Sequence, residues 1–176
     1  GGDTNTNGPS SGTSTAWRGI VFNATGGGTL AYADVRYGGA GYIANVHLNN
    51  SSPTLTHCVL RNNYVAGMDL NGNSTPTVSN CAFTGNGTYA IDNVPIQALA
   101  GLSGNTATNN GNGNGNFARV TVASVTGNVS VPPSAHINGA VVFDASLVIA
   151  QGGTLTLQPG TVVKMRNSGI EVTVNG

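Results

Sequence analysis

The first group of residues that could do chemistry is a run of oxygen-bearing side chains near the start of the sequence. Asp3, Asn5 and Asn7 alternate and precede Gly8, which matches the first half of an EF-hand-like calcium loop. Alternate oxygen side chains can converge on Ca²⁺, and the glycine allows the sharp turn between them. The twelfth position is Ser14 rather than a bidentate Glu. The pattern predicts either a weak calcium site or a plain loop rich in Asn and Asp turns.

A second candidate group consists of His47, Asp69 and Asp92, which recur at a nearly constant spacing along the chain. If residues at this spacing stack in the fold, Asp69 and Asp92 would lie about 5 Å apart. Two carboxylates at that separation can bind a cation or a sugar. The pattern predicts either such a ligand site or a solvated outward ladder that includes a His–Asp pair.

The cysteines and several aromatic residues leave alternatives of the same kind. Cys58 and Cys81 have the same spacing as Asp69 and Asp92, which predicts either two stacked core thiols or a disulfide with poor dihedral geometry. Four aromatic residues occur near equivalent points of the chain, namely Trp17, Tyr42, Tyr64 and Tyr89. Such side chains can stack on sugar rings or pack under loops.

The composition excludes several classes of partner. The 176 residues include six Lys and Arg and six Asp and Glu, and charged residues make up 7%. An ordinary soluble domain has about 25% charged residues. With so few cations there is no basic stripe, so we expect no nucleic-acid partner. No apolar run approaches the roughly 20 residues of a membrane span, so we expect no membrane insertion. Calcium is the only cofactor that the sequence suggests.

The chain contains an internal repeat with a period of about 23 residues, within the range that is typical of solenoids. Three segments align without gaps, and they begin at Leu30, Leu55 and Val78. Apolar residues recur within these segments, and a second register runs through the same repeats. The predicted inward columns are Leu30/Leu55/Val78, Ala33/Cys58/Cys81, Val35/Leu60/Phe83, Ile20/Val46/Met68/Ile91 and Phe22/Leu48/Leu70.

Short alternating segments that are separated by Gly and Asn turns indicate β-strands rather than helices. Several short strands per repeat can form one coil of a parallel solenoid, with equivalent residues stacked along its axis. The sequence therefore predicts an all-β parallel β-helix of about six to seven coils in a single domain, residues 1–176. We expect an irregular loop at 1–16, coils of the repeat length at 17–112, and coils with longer strands at 113–176.

These coils resemble the right-handed parallel β-helix repeats of secreted proteins, including the pectate lyase-like superfamily. The most specific part is the stretch at 152–164, GGTLTLQPGTVVK. It is similar to a G-x-L-T-I-x-P-G-T-V-V-K unit of large repetitive surface proteins. The resemblance implies a right-handed β-helix, but it assigns no activity, because the family is functionally mixed.

The resemblance also defines what an enzyme of this kind would need. Polysaccharide lyases of this fold use several carboxylates that hold Ca²⁺, together with a basic residue in one groove. Here the acidic residues are scattered along the chain, and Asp34, Arg36 and Arg61 lie outward on adjacent coils. We expect a surface salt bridge at that point, and we name no catalytic residue.

The order of the repeats suggests how the chain is used. In such surface proteins the unit at the end of this chain is followed by segments like those at its start. We expect the exposed strand edges to be covered by neighbouring repeats of a longer chain or by another copy stacked head to tail.

The function predicted from this order is that of a non-catalytic structural protein, either a filament subunit or a segment of a repetitive adhesin-like chain. The alternative is a polysaccharide-binding module, or a β-helix of the lyase or hydrolase kind. The low charge and the abundance of Asn, Thr and Ser predict an extracellular or cell-surface location.

Overall fold

The computed structural model describes residues 12–176, and it consists mainly of short parallel strands. The predicted calcium loop of Asp3, Asn5 and Asn7 lies outside the described residues. The strands are β1 (Ile20–Phe22), β2 (Thr29–Ala31), β3 (Asp34–Arg36), β4 (Val46–Asn49), β5 (Thr54–Thr56), β6 (Val59–Arg61), β7 (Met68–Asn71), β8 (Thr77–Ser79), β9 (Ala82–Thr84), β10 (Ile91–Pro95), β11 (Leu102–Ser103), β12 (Thr106–Thr108), β13 (Ala118–Val122), β14 (Ser124–Val125), β15 (Asn128–Val131), β16 (Val141–Phe143), β17 (Leu147–Ile149), β18 (Thr154–Leu157), β19 (Val163–Met165) and β20 (Val172–Val174).

The strands form five parallel sheets that run along a common axis. The long sheet has the order β1-β4-β7-β10-β13-β16-β19, so the chain passes through it seven times and completes about six turns. The second sheet contains β2, β5, β8 and β11, and the third contains β3, β6, β9 and β12. In the later coils these give way to the fourth sheet, β14-β17-β20, and the fifth, β15-β18. This architecture confirms the predicted parallel β-helix.

Short 3₁₀ turns occupy the positions where the later coils change direction. They span Ile96–Gly101, Asn110–Gly113 and Pro133–Ala135. The first buries Ile96, Ala98 and Leu99 inside the solenoid. The predicted division of this continuous stack at residues 16 and 112 stays a prediction.

The predicted inward columns are confirmed by the register of the sheets. Leu30 pairs with Leu55 and Leu55 with Val78 in the second sheet. In the long sheet Val46 pairs with Met68 and Met68 with Ile91. Leu55, Val78, Val46, Met68 and Ile91 are all fully buried. Burial of an aliphatic side chain of this size contributes about 1.5–3 kcal/mol, so the stacked columns are the main source of stability.

Left-handed backbone turns at the corners explain why Asn is abundant. Between the second and third sheets, φ is positive at Tyr32 (54°), His57 (52°), Asn80 (53°) and Gly104 (62°). After the third sheet it is positive at Tyr37 (62°), Asn62 (53°), Gly85 (64°) and Asn109 (55°). Asn and Gly tolerate this conformation better than other residues do. The backbone N–H at the corner still donates to the next coil, for example from Asn80 to the Ser103 carbonyl at 2.9 Å.

A buried column of asparagine amides holds one side of the coils together. The backbone N–H of Asn63 donates to Oδ1 of Asn86 at 3.0 Å, and that of Asn86 donates to Oδ1 of Asn110 at 3.1 Å. The amide nitrogen of Asn86 also donates to the Leu60 carbonyl at 3.1 Å and to Oδ1 of Asn110 at 2.8 Å. All three asparagines are buried, so these bonds satisfy polar groups that water cannot reach.

We expect Asn86→Ala to lower the free energy of unfolding by about 3 kcal/mol, because it leaves the Asn63 N–H without an acceptor in the core and removes the amide's bonds to Leu60 and Asn110. Urea unfolding followed by circular dichroism measures the change. Asn73→Ala is the matched control, because Asn73 is exposed and only its backbone N–H makes a hydrogen bond, to Oδ1 of Asn50. Equal destabilisation by the two substitutions would contradict the role of the amide column.

Candidate functional site

The long sheet brings the predicted ladder residues together on its outward face. His47 on β4 pairs in register with Asp69 on β7, and Asp69 pairs with Asp92 on β10. Their neighbours Val46 and Met68 point inward and are fully buried, which places the charged side chains on the opposite face. Residues one repeat apart therefore stack as the sequence predicts.

The ladder residues bind their own neighbours. His47 Nδ1 lies 2.8 Å from Asp69 Oδ2, and both side chains are largely covered. The amide nitrogen of Asn93 donates to Asp69 Oδ1 at 2.7 Å. Asp92 Oδ1 instead accepts from Arg119 Nε at 2.6 Å. The two aspartates thus have different partners, and binding of a sugar or cation by the ladder stays a prediction.

The ladder continues into residues that the repeat did not point to. Arg119 Nη1 donates to Asp144 Oδ2 at 3.1 Å, and Arg166 Nη1 donates to the same oxygen at 2.7 Å. Tyr89 lies beside both arginines, with its ring centroid 4.5 Å from the guanidinium of Arg119 and 5.1 Å from that of Arg166. We call His47, Asp69, Asp92, Arg119, Asp144 and Arg166 the charged ladder.

The ion pairs of the ladder shift the pKa of Asp144 and of Arg119. Burial by itself would raise the pKa of Asp144, but hydrogen bonds from Arg166 and Arg119 outweigh it and lower the pKa below the ordinary 3.8. Burial would lower the pKa of Arg119, and the bonds to Asp92 and Asp144 raise it instead. Asp144 and Arg119 therefore stay ionised at neutral pH. They hold one another in place rather than offering a free acid or base.

Two of the residues that the repeat did not point to, Asp144 and Arg166, do have a local signal in the sequence. Phe143 at the end of β16 pairs with Met165 at the end of β19, and each is followed at once by a charged residue, Asp144 or Arg166. The same offset separates His47 from Asp69. Arg119 carries no such signal, because it lies 27 residues after Asp92 and so falls outside the regular spacing of the repeat.

The outward group of Asp34, Arg36 and Arg61 forms the expected surface salt bridge. Arg61 Nε and Nη2 donate to the two Asp34 oxygens at 3.0 and 2.9 Å, and Arg36 Nη1 is 3.8 Å from Asp34 Oδ2. The bidentate bond from Arg61 holds the pKa of Asp34 below its ordinary value, although burial opposes the shift. Because the Asp34 side chain is 45% exposed, solvent screens this pair and it adds little stability.

The two cysteines are free thiols in the core, which is the first of the two alternatives. Both Cys58 and Cys81 are buried, and the backbone N–H of Cys58 donates to Sγ of Cys81 at 3.4 Å. Burial raises the pKa of the Cys81 thiol to about 11. A thiol in this state is a packing group rather than a nucleophile.

The aromatic residues fall into two environments. Trp17 donates from its indole N–H to the Arg36 carbonyl at 2.8 Å, and Tyr89 is covered by the two guanidinium groups described above. Tyr42 and Tyr64 are 76% and 49% exposed, and their ring centroids are 5.5 Å apart. They line a lateral cavity of about 590 Å³, which we call the tyrosine groove.

Within residues 12–176, no three His, Cys, Asp or Glu side chains lie close enough together to hold a metal ion. Over the same residues, no helix is both long enough and apolar enough to cross a membrane.

Comparison with known proteins identifies the fold family. The family described as a right handed beta helix region matches residues 4–111, which is more than half of the chain. The protein therefore belongs to the right-handed β-helix family, as the resemblance implies. No curated protein and no solved structure matches the chain.

We expect Asp144→Asn to lower the free energy of unfolding by about 2 kcal/mol at pH 7, because Arg119 and Arg166 lose their charged partner. The lowered pKa means that this carboxylate stabilises the fold above the unfolded-state pKa of about 3.9. That stability is lost as the pH falls through the lower folded-state pKa. Urea unfolding at pH 7, 5 and 3 measures the free energy of unfolding of both proteins. The difference between Asp144→Asn and the original protein should become smaller only at pH 3.

The matched control for the ladder is Asp34→Asn, which removes an exposed carboxylate from a similar arginine pair. We expect its effect at pH 7 to be about 0.5 kcal/mol or less. If Asp144→Asn lowered the free energy of unfolding by the same amount at all three pH values, packing rather than charge would account for the contribution of Asp144.

We expect the native protein to resist thiol alkylation at pH 8. With a pKa of about 11, only about one Cys81 side chain in a thousand is a thiolate at that pH, and the sulfur is also buried. Iodoacetamide labelling followed by mass spectrometry should therefore be at least about 100-fold slower for Cys81 in the folded protein than in denaturant. Comparable rates in the two conditions would rule out the buried position.

Proposed function

We propose that the protein is a non-catalytic structural unit of an extracellular or cell-surface protein. Its coils continue by stacking on another β-helix, either a second copy arranged head to tail or a neighbouring repeat of a longer chain. The observation that carries this proposal is the apolar surface presented by the last described coil.

That coil places inward-column residues at its open face. They pair in register with Val129, Val131, Val141, Phe143, Leu147 and Ile149 of the coil below. We call them the end surface, which consists of Leu155, Leu157, Val163, Met165, Val172 and Val174. The partners below are mostly buried, whereas Val174 is 66% exposed and Val172 49%. Covering the end surface with another coil would extend the same apolar columns.

The backbone at this face favours the same occupant. β18, β19 and β20 are the outermost strands of the fifth, long and fourth sheets, and each pairs on one side only. Unpaired N–H and C=O groups at a sheet edge form hydrogen bonds with another strand readily. A parallel coil would bury the apolar side chains and form hydrogen bonds with these backbone groups at the same time. No globular partner does both as completely.

The chemistry of the charged residues supports a non-catalytic role. Hydrolysis of a glycosidic bond uses two carboxyl groups that face the substrate, and one of them must be able to give up a proton. In the described residues Asp34, Asp92 and Asp144 are each bound to arginine, and Asp69 is bound to His47 and Asn93. An extracellular location is supported by the charged content of 7% and by the surface-protein-like unit at 152–164.

We expect the protein to associate end to end as its concentration rises, and Val172→Lys or Val174→Lys to weaken this association at least about tenfold. Each substitution puts a charge where an aliphatic side chain would be buried, at a cost of about 1.5–3 kcal/mol. Sedimentation velocity over a concentration series measures the change, and electron microscopy shows whether the particles are linear.

Val122→Lys is the control for these substitutions, because Val122 is 50% exposed on β13 in the middle of the solenoid. It should leave association unchanged. A protein that stays monomeric at millimolar concentration, or one in which Val122→Lys has the same effect as Val174→Lys, would overturn the proposal.

A further inference from the structure

Asn–Gly dipeptides recur along the chain, and three of them follow one another in the loop between β12 and β13. We call residues 110–116 the asparagine loop, and it contains Asn110–Gly111, Asn112–Gly113 and Asn114–Gly115. Asparagine loses its side-chain amide most readily before glycine, because glycine places no side chain in the way of the reaction. The three dipeptides are identical in sequence, so differences in their reactivity come from the fold.

This reaction, called deamidation, needs only the protein and water. The backbone nitrogen of the glycine attacks Cγ of the asparagine, so a C–N bond forms. The bond from Cγ to the side-chain nitrogen breaks, and that nitrogen leaves as ammonia with the proton of the glycine N–H. Water then adds to one carbonyl carbon of the resulting succinimide ring and opens it to aspartate or isoaspartate. Either product carries one more negative charge than asparagine.

Two of the Asn–Gly dipeptides are protected by the buried amide column. The Gly87 N–H donates to the Asn63 carbonyl at 2.9 Å, and the Gly111 N–H donates to the Asn86 carbonyl at 2.9 Å. The side-chain amides of Asn86 and Asn110 are themselves hydrogen-bonded inside the column. Neither the attacking nitrogen nor the side chain can move into place without the loss of buried hydrogen bonds.

The third dipeptide of the asparagine loop is exposed at its asparagine but fixed at its glycine. The Gly115 N–H donates to the Asn110 carbonyl at 2.9 Å. Gly115 is buried, and a Cβ at this position would collide with the Thr88 carbonyl oxygen. The nitrogen that would attack Asn114 is therefore wedged against the coil below, and the loop must open before it can react.

Asn112–Gly113 lies at the tip of the same loop, where the fold holds it least. Both residues are exposed, and the space that a Cβ on Gly113 would take is open. Within residues 12–176, no hydrogen bond holds the Asn112 side chain. The backbone is left-handed at Gly111, Asn112 and Gly113, with φ of 53°, 54° and 91°, so the 3₁₀ turn is irregular here. The Asn112 side chain can reach the Gly113 nitrogen without giving up a bond of its own.

We propose that Asn112 is a site of spontaneous deamidation, which adds negative charge to the side of the solenoid as the protein ages. Asn112 contributes to the wall of the tyrosine groove, and no Asp, Glu, Lys, Arg or His side chain of the described residues does so. The formal net charge of the chain is zero, so one conversion makes the protein anionic. The fold is retained, because the asparagines whose amides join the coils are the protected ones.

The test is an incubation of the full chain of 176 residues at pH 8 and 37 °C, with samples taken over several weeks. Tandem mass spectrometry of proteolytic peptides locates each converted asparagine. A parallel sample in guanidinium chloride gives the rate of each dipeptide without the fold. We expect folding to slow the reaction at Asn112 by no more than about threefold. Folding should slow it at Asn86, Asn110 and Asn114 at least about tenfold, which corresponds to about 1.4 kcal/mol.

Two variants with a matched change make the result specific. Glutamine reacts far more slowly than asparagine, because its longer side chain must close a larger ring. In Asn112→Gln the peptide that contains the asparagine loop should stay unconverted, whereas in Asn114→Gln it should convert as in the original protein. Both positions are exposed, so the thermal unfolding midpoint should be unchanged in both variants, which excludes unfolding as the cause of any difference.

Any of three results contradicts the proposal. These are equal rates at Asn112 and Asn114 in the folded protein, a rate at Asn112 that folding slows as strongly as at Asn86, and conversion of the loop peptide of Asn112→Gln at the original rate. The asparagine loop does not contribute to the end surface, so these results do not bear on the proposed structural role.

Discussion

Every coil of this protein must follow the backbone path of the coil beneath it, because the hydrogen bonds of all five sheets run between successive coils. A shift of one residue in any strand would turn its buried side chains outward and its polar side chains inward. The columns that begin at Leu30 and Ile20 stay in phase through the early coils, although these coils differ in length by several residues. In these coils the extra residues lie in the loops between sheets, whereas the later pairing of β10 with β13 does shift in register.

The same constraint governs the polar groups. At a corner the chain must turn within one or two residues and still donate its N–H to the next coil. This requirement selects residues that tolerate a left-handed backbone conformation, such as Asn62 and Asn80. Where the corner is buried, an amide must also replace water, as Asn86 Oδ1 does for the Asn63 N–H. On the outward faces, equivalent positions on successive coils lie so close that like charges would repel. In the charged ladder Arg119 stands between Asp92 and Asp144. Asp69 and Asp92 do stack in register, but each binds a partner of its own, His47 or Arg119.

The register of the early coils could be predicted from the sequence because each coil buries side chains at fixed spacing. Leu55 and Val78, or His47 and Asp69, are recognisable as equivalent without any structure. Arg119, the next member of the ladder after Asp92, could not be predicted in the same way. Between Asp92 and Arg119 the chain takes a path longer than one repeat, which passes through a 3₁₀ turn and a strand pairing whose register shifts. Sequence periodicity carries no information about contacts made across such an irregular coil.

A solenoid leaves few places for function, because its interior is filled by the columns that hold it together. On the long sheet the side chains of the charged ladder are bound to one another. On the second sheet the hydroxyls also pair between coils, as Thr56 and Ser79 do at 3.3 Å. The end surface differs, because several of its apolar side chains are exposed and its three strands pair on one side only. The structural role that we propose depends on this difference, because another coil would cover the apolar side chains and pair the strand edges at the same time.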